Sequence, residues 1–299
     1  MNPRLRFWGV RGSFPAALPS CRQLGGNTAC IEIEWQGHHL ILDAGTGIRK
    51  LGERLVAQPP AKPLQLLLTH PHWDHIQGFP YFAPAYSEEM QIRVHSMRRT
   101  NKMRNLLSDQ QQSAFFSVPL EQMQSELTFE EWEEGETFHP GPFAVETWRL
   151  NHPGICSGYR IRMGDYVLAY VTDVAPSTDY LLADGLPGNP SRETALKDLY
   201  ENQLRLLDGA HTAIYDTFFT PVQYSQRSHW GHSTLEQAIE VCNHCNVENL
   251  FMFHHNSEID DQQQWERVAQ ASAGERMAIY PSQEGHCLEL APGKLVECA

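Results

Sequence analysis

Three hydrophobic segments open the chain. They span residues 5–10, 29–35 and 38–43. Gln36-Gly37, between the last two segments, is typical of a tight hairpin turn. A glycine-rich turn follows and leads into a segment with Ile48, Leu51 and Leu55 on one helical face. This pattern predicts a β-meander followed by an amphipathic helix.

A continuous apolar run, LQLLLT at 64–69, predicts a buried strand next along the chain. The run leads directly into the sequence HPHWDH at 70–75. Because binding and catalytic residues usually lie on loops that follow such elements, the polar side chains of this loop are the first candidates for a functional site.

The later part of the chain alternates predicted strands with predicted helices. The strands are at 143–150, 158–163, 166–172, 212–216 and 249–253, and the helices are at 193–207, 233–245 and 260–272. Residues 84–140 interrupt this alternation with a predicted helix at 97–116 and an acidic stretch at 127–138. The order of elements predicts an α/β (α+β) sandwich of two mixed sheets flanked by outer helices. We expect a single domain over 1–299, with an insertion at 84–140 beside the site.

Composition narrows the choice of partners. Apolar residues make up 41% of the chain, which is enough for a sizeable core. The formal charge is −13, from 23 basic and 36 acidic residues. Such a chain repels long nucleic acids, because proteins that bind them gain affinity by neutralising phosphates. A small anion is still compatible, since a pair of divalent cations can reverse the potential locally.

The N-terminus and the cysteines bear on the cellular compartment. The sequence MNPRLRFWGVRGSFP lacks the apolar core of a secretory signal, and no window approaches a membrane span, so we expect a soluble cytoplasmic protein without membrane partners. The seven cysteines are odd in number and scattered, which predicts reduced thiols. Cys242 and Cys245 lie in a predicted helix without a second pair, so we interpret them as packing residues.

The loop at 70–75 has the spacing of a metal site. In an extended segment His70 and His72 lie on the same face, so both imidazoles can reach one cation about 2 Å away. Asp74 and His75, where the chain turns, can reach a second cation nearby. One short loop thus supplies half of two coordination shells.

This His-x-His-x-Asp-His sequence after a buried strand resembles the signature of the metallo-β-lactamase superfamily, and the resemblance runs over most of the chain. It implies the αβ/βα four-layer sandwich of that family. Three further segments match the family's ligand positions, with His152, Asp173 and His254 at predicted strand ends. The resemblance implies two divalent metal ions, one held by His70, His72 and His152, the other by Asp74, His75 and His254, with Asp173 bridging them.

Two positions around this ligand set stay open. His255 competes with His254 for the last ligand position, and we favour His254 because it directly follows the apolar strand LFMF. Asp43 ends the strand LILD and matches an aspartate of the superfamily that supports the ligand loop without binding the metal. His and Asp ligands suit Zn, Mn or Fe, and we expect Zn.

The charges of such a centre favour hydrolysis of an anionic ester. Two divalent cations bring four positive charges, Asp74 and Asp173 remove two, and a bridging hydroxide removes one, which leaves a local charge of about +1. Two ions also lower the pKa of bound water to about 7 and can clamp the oxygens of a phosphoryl displacement. Asp74 is accordingly counted as a catalytic residue.

The stretch Gly231-His232-Ser233-Thr234 resembles the tRNase Z and phosphodiesterase branch of the superfamily. In that branch the histidine protonates the leaving alkoxide, which implies His232 as the general acid. Ser233 or Thr234 can instead cap the following helix, with Glu236 three residues after Ser233. Capping does not require His232. The alternative to the general-acid role is that His232 is a structural residue at the start of the helix.

The opening glycine-rich segments resemble bacterial hydrolases near the cyclic-nucleotide phosphodiesterases. Asn27 and Thr28 lie in one of them and could contact a substrate phosphate or belong to a turn. We see no long basic arm of the sort that grips tRNA, and residues 126–136 are rich in glutamate. The function we predict is that of a metal-dependent phosphodiesterase, which would hydrolyse a small anionic phosphodiester such as a cyclic nucleotide.

Several alternatives stay open. Phe115-Phe116 and Trp132 could form a lid that stacks on a base, or a small core of their own. A tRNA 3′-processing endoribonuclease, a lactamase or thioesterase, and a non-catalytic metal-binding sensor are the competing functions. A di-iron reductase would carry Glu where His72 stands. Dimers are frequent among the relatives, so a homodimer is compatible with the resemblance.

Overall fold

The hydrophobic segments form two large β-sheets in the computed structural model, which describes residues 2–176, 178 and 190–298. The strands are β1 (Arg4–Gly9), β2 (Arg11–Gly12), β3 (Cys30–Trp35), β4 (His38–Leu42), β5 (Leu64–Leu68), β6 (Gln91–Met97), β7 (Glu126–Trp132), β8 (Thr137–Phe138), β9 (Ala144–Arg149), β10 (Ser157–Met163), β11 (Tyr166–Val171), β12 (Thr212–Asp216), β13 (Asn249–Phe253), β14 (His255–Asn256), β15 (Ala278–Pro281), β16 (Cys287–Ala291) and β17 (Lys294–Glu297). The helices are α1 (Ile48–Ala57), α2 (Trp73–Ile76), α3 (Met103–Gln110), α4 (Arg192–Leu207), α5 (Pro221–Arg227), α6 (Leu235–His244) and α7 (Asp261–Ala271).

The first compact unit contains one of the two sheets. It comprises Met1–Glu133, Pro140–Pro142 and Gln283–Ala299. Its described residues form a sheet of eight strands in the order β17-β16-β1-β3-β4-β5-β6-β7. Pairing is antiparallel from β17 to β4 and parallel from β4 to β7. Helix α1 buries Ile48, Leu51 and Leu55 in the core of this unit, as their helical spacing predicts.

The second compact unit contains the other sheet. It comprises Glu134–His139 and Phe143–Ser282. Its described residues form a sheet of seven strands in the order β15-β13-β12-β11-β10-β9-β8. Pairing is parallel from β15 to β11 and antiparallel from β11 to β8. Leu206 of α4, Ala238 of α6 and Val268 of α7 belong to its core. The α+β class with two mixed sheets is therefore confirmed.

Residues 84–140 are more regular than the sequence indicates. Strands β6 and β7 pair in parallel over seven residues and extend the sheet of the first unit beyond β5. Ile92 and Val94 of β6 are buried in its core, while the flanking Gln91 and Arg93 are exposed. The predicted helix at 97–116 is present only as α3. Much of the predicted insertion is thus part of the sheet, because a short strand with parallel neighbours gives only a weak alternating signal in sequence. The prediction of a single domain over 1–299 stays a prediction.

The prediction of reduced cysteines is wrong at the end of the chain. Cys287 and Cys298 form a disulfide, with their Cα atoms 5.3 Å apart. The β16–β17 hairpin causes this pairing, since the Cys298 N–H donates a hydrogen bond to the Cys287 carbonyl. Cys242 is buried in α6 as a packing residue, and burial raises its pKa. Among the described helices, none is long and apolar enough to cross a membrane.

Candidate metal centre

Asp43 anchors the histidine loop of the first unit. It follows β4, which runs parallel to β5 with Leu42 opposite Leu67, so the residues after both strands lie side by side. The carboxylate of Asp43 accepts hydrogen bonds from the Thr69 backbone N–H at 2.8 Å and from the Thr69 hydroxyl at 3.0 Å. Asp43 adopts a left-handed conformation with φ of 59° and is fully buried. Its side chain therefore fixes where the loop begins.

The same carboxylate orients two imidazoles. His75 Nδ1 donates to Asp43 Oδ2 at 2.8 Å, and His70 Nδ1 bonds the hydroxyl of Thr69 at 3.0 Å. With Nδ1 engaged in this way, Nε2 is the nitrogen of each ring that can coordinate a cation. Such a carboxylate or hydroxyl partner behind the ring is a regular feature of metal-binding histidines.

The loop gathers its candidate ligands in a small space. The rings of His72 and His75 lie 4.4 and 4.3 Å from the ring of His70, measured between centroids. His75 Nε2 lies 3.3 Å from Asp74 Oδ2. Two ligand atoms that are each about 2.1 Å from a tetrahedral cation stand about 3.4 Å apart. The Asp74 and His75 pair therefore fits one cation.

Ser13 holds the carboxylate of Asp74. The backbone N–H of Ser13 donates to Asp74 Oδ2 at 2.7 Å, and Ser13 has a left-handed φ of 61°. A non-glycine residue in this conformation is uncommon and often marks a functional site. The sequence offers no signal for this contact, since the two residues are 61 positions apart.

The second unit collects its candidates at the carboxyl ends of parallel strands. Strands β11, β12 and β13 pair in parallel, with Val171 opposite Tyr215 and Asp216 opposite Phe253. Their ends therefore meet at one edge of the sheet, where ligands usually bind in such sheets. The side chains that meet there are Asp173, Asp216, His232 and His254, whose ligand atoms lie within 4.8 Å of one another.

Asp173 presents one oxygen to each of two histidines. Its Oδ1 lies 3.2 Å from His254 Nε2, and its Oδ2 lies 3.7 Å from His152 Nε2. The ring of His152 is held from behind by a hydrogen bond from Nδ1 to the Gly231 carbonyl at 2.8 Å. Gly231 has a φ of 91°, and a Cβ atom there would lie 2.5 Å from His152 Nδ1, so only glycine fits. This arrangement is suited to a carboxylate that bridges two cations.

The two neighbouring histidines after β13, His254 and His255, have different hydrogen-bonding or ionic partners. His254 faces Asp173 and has a left-handed φ of 60°, as does Asp173 with a φ of 51°. His255 instead donates from Nε2 to the Ser282 carbonyl at 2.9 Å. In the second unit His254 thus contacts the carboxylate of Asp173, and His255 contacts the Ser282 carbonyl.

Asp216 is a functional candidate that the sequence analysis missed. Its Oδ2 accepts a hydrogen bond from His232 Nδ1 at 2.8 Å, and its two oxygens also accept from the backbone N–H groups of Val174 and Phe218. Phe218 stacks on the ring of His232 with 4.6 Å between centroids. The available signal was its position, because Asp216 ends an apolar strand just as Asp43 follows one.

The remaining sequence candidates have structural partners. Asn27 Nδ2 donates to Glu284 at 2.9 Å, and burial raises the pKa of the Glu284 carboxyl. The hydroxyl of Thr28 accepts from the Thr46 backbone N–H at 2.9 Å. These contacts tie both residues into the loops of the first unit, so their role toward a substrate phosphate stays a prediction.

The two hydroxyl residues that follow His232 have different structural roles. Thr234, not Ser233, caps helix α6 and forms a capping box with Gln237. Ser233 donates from its hydroxyl to the Val174 carbonyl at 2.6 Å. Neither contact involves the imidazole of His232, which is buried against Asp216 and Phe218.

Comparisons with known proteins show what the chain is similar to. A family model described as the beta-lactamase superfamily domain matches residues 38–186. The chain is 23% identical to Ribonuclease Z of Exiguobacterium sibiricum over 232 residues, which are 69% of this chain and 75% of that protein.

Solved structures share the fold at low identity. The metallo-beta-lactamase fold protein YhfI from Bacillus subtilis aligns with a TM-score of 0.65 and 17% identity, covering 96% of this chain and 99% of that one. A diphosphatase from the PhnP family aligns with a TM-score of 0.62 and 15% identity, covering 97% and 98%. The fold expected from the HPHWDH sequence is therefore confirmed.

Proposed function

This chain is a member of the metallo-β-lactamase superfamily, and from that premise we propose that it is a binuclear metal-dependent phosphodiesterase acting on a small phosphodiester. The pair of Asp216 and His232 carries the proposal. It places a titratable imidazole within the cluster that also contains Asp173 and His254. Relatives named as a diphosphatase and as Ribonuclease Z support the same class of chemistry.

The ligand assignment follows the pattern of the family. The residues that would hold the two cations are His70, His72 and His152 for one, Asp74, His75 and His254 for the other, and Asp173 for both. When bound, the two cations would lower the pKa of coordinated water and neutralise charge on the phosphoryl oxygens. The donor set fits this role, because His70, His75 and His152 each engage Nδ1 in a hydrogen bond. Zn is the favoured metal for imidazole and carboxylate ligands, and Mn and Fe also fit.

His232 would supply the proton for the leaving group. An alkoxide departs slowly unless it is protonated, and general acid catalysis of this kind contributes about 10²–10⁴-fold in rate. Asp216 accepts a hydrogen bond from the Nδ1–H of His232. Nε2 is therefore the nitrogen that donates a proton to the leaving group. Stacking on Phe218 holds the ring in place. Asp216 is thus a positioning residue that also stabilises the protonated imidazole.

The choice of leaving group tests this role. We expect metal-loaded protein to hydrolyse both bis-p-nitrophenyl phosphate, which releases p-nitrophenolate, and a dialkyl phosphodiester, from which only an alkoxide can leave. Asp74→Ala should abolish both activities. His232→Ala should lower turnover of the alkyl leaving group about 10²-fold or more, while p-nitrophenolate, which leaves without a proton, is affected much less.

A negative result is informative if metal content is measured in parallel by mass spectrometry. Wild-type protein that carries two metal ions per chain and hydrolyses neither ester would overturn the proposal in favour of a metal-binding sensor. Equal losses for the two leaving groups in His232→Ala would remove His232 from the acid role.

A tRNA 3′-processing activity is the second candidate, because the chain is 23% identical to Ribonuclease Z over 232 residues. The net charge of −13 opposes it, since tRNA would meet an acidic surface. Cleavage of a precursor tRNA at a higher kcat/KM than any small phosphodiester would establish this alternative.

A further inference from the structure

An aromatic cavity borders the histidine loop at 70–75 in the first unit. Its volume is about 710 Å³, within the range of small-molecule sites. Trp73, Tyr81, Phe115 and Phe116 line it together with Pro71. None of these residues is assigned a role by the proposed chemistry.

Two residues that line the cavity belong to the same loop as the candidate ligands. Pro71 and Trp73 alternate with His70, His72 and Asp74 in the loop. His70 and Asp74 are buried, whereas Trp73 is 75% exposed and faces the cavity. Because Pro71 and Trp73 are chain neighbours of the candidate ligands, an ester bound through the histidines and Asp74 would have two residues of the cavity lining beside it.

The aromatic side chains are exposed in a way that is costly without an occupant. Phe115 is 76% exposed and Tyr81 is 59% exposed. Tyr81 meets Phe116 edge to face, with 5.3 Å between ring centroids, which gives one wall a fixed shape. Large exposed aromatic surfaces gathered in one concave place mark binding sites in soluble proteins.

Three polar side chains in the lining offer oxygens that can accept hydrogen bonds. Gln110 Nε2 donates to the Ile76 carbonyl and Gln77 Nε2 donates to the Thr28 hydroxyl, both at 3.2 Å, so the side-chain oxygens of both amides can accept. Asp109 adds a carboxylate to the same lining. Among the described residues that line this cavity there is no Lys or Arg. The cavity therefore suits a planar group with N–H donors and disfavours a phosphate.

We propose that this cavity binds the planar base of a nucleoside phosphodiester, stacked on the exposed aromatic side chains with its amino group on these acceptor oxygens. This inference rests on the proposed phosphodiesterase function and narrows its substrate to nucleoside esters. Stacking of a base on an aromatic side chain contributes about 1–3 kcal/mol, as judged by alanine substitution.

Two esters with the same leaving group test the cavity. The p-nitrophenyl ester of adenosine 5′-monophosphate carries a base, and p-nitrophenyl methyl phosphate does not. We expect Phe115→Ala and Tyr81→Ala to raise KM for the adenosine ester about tenfold with little change in kcat, since tenfold corresponds to about 1.4 kcal/mol. Kinetics with the methyl ester should not change. Trp265→Ala, which removes a partly exposed tryptophan from α7, is the matched control and should affect neither ester.

Adenosine binding gives a readout that does not depend on turnover. Adenosine should quench tryptophan fluorescence of the metal-loaded wild type, and Trp73→Phe should lose most of that quenching. Base binding without hydrolysis of any phosphodiester would sink the proposed function and leave the cavity assignment standing. Hydrolysis with no quenching and no change in KM would overturn the cavity assignment alone. A change only in the oligomeric state of Phe115→Ala, measured by light scattering, would overturn it too and make the cavity an interface between copies.

Discussion

The two ligand clusters are built in different ways. In the first unit four candidate ligands lie within six consecutive residues, from His70 to His75, and a single carboxylate, Asp43, orients the loop. In the second unit the candidates come from separate strand ends, and the parallel register of β11, β12 and β13 brings them together. A local cluster can be recognised by its spacing alone. A distributed cluster exists only after the sheet has formed.

The two clusters also share a feature. Backbone conformations with positive φ occur at Asp43 in the first unit and at Asp173 and His254 in the second. Each of these conformations costs about 1–3 kcal/mol and persists only where surrounding contacts impose it. Residues in the left-handed conformation, one or two positions after a strand, therefore orient the side chains in both units.

The largest expected effect is a loss of metal ions, and it distinguishes a carboxylate that would bind both ions from one that would bind a single ion. Asp173 faces His152 and His254 with different oxygens, whereas Asp74 Oδ2 lies 3.3 Å from His75 Nε2. We expect Asp173→Ala to lose both metal ions and all activity. Asp74→Ala should lose activity but retain one ion. Metal content per chain, measured by mass spectrometry on dialysed protein, checks this, and retention of both ions in Asp173→Ala would contradict the bridging role.

The same contrast explains which parts of the molecule could be predicted from sequence. The loop at 70–75 was identified from spacing, and His152, Asp173 and His254 only through resemblance to a family. Asp216 was missed because an aspartate at a strand end has no local partner in sequence. The contact from Ser13 to Asp74 and the strand β6 were missed for a similar reason, since both depend on residues distant in the chain.

The element boundaries show what local pattern can achieve. Strands β12 and β13 match the predictions at 212–216 and 249–253 because their apolar runs end abruptly. Helix α3 is shorter than predicted. The disulfide between Cys287 and Cys298 was not predicted, since an odd cysteine count carries no information on which two are neighbours across a hairpin.

Substitutions of Asp43 and Asp216 form a matched pair, and we expect their effects on activity to be of intermediate size. Both carboxylates hold Nδ1 of a histidine at 2.8 Å, His75 in the first unit and His232 in the second. Asp216→Asn should keep both metal ions and lower kcat for alkyl leaving groups about 10²-fold or more, because the imidazole loses the carboxylate that stabilises its charged form.

Asp43→Asn should act through the metal instead. Loss of a carboxylate behind a metal-binding histidine lowers metal affinity about 10–100-fold. We expect activity to return at high metal concentration in Asp43→Asn and not in Asp216→Asn. Identical metal dependence in the two variants would break the distinction between a residue that supports ligands and one that supports the acid.

The smallest expected effect concerns the backbone of Ser13. Its N–H donates to Asp74, and its φ of 61° is one that proline cannot adopt and glycine adopts freely. Ser13→Pro should therefore weaken metal binding about tenfold, at the low end of the effects seen when a ligand loses its supporting hydrogen bond. Ser13→Gly is the control, because it keeps the N–H and the conformation, and its metal affinity should match the wild type. If Ser13→Gly weakened binding as much as Ser13→Pro, the hydroxyl rather than the backbone would be the relevant group, and the first cluster would depend on side chains alone. Metal titration with a competing chelator distinguishes these outcomes, with thermal unfolding of both variants as the check on the fold.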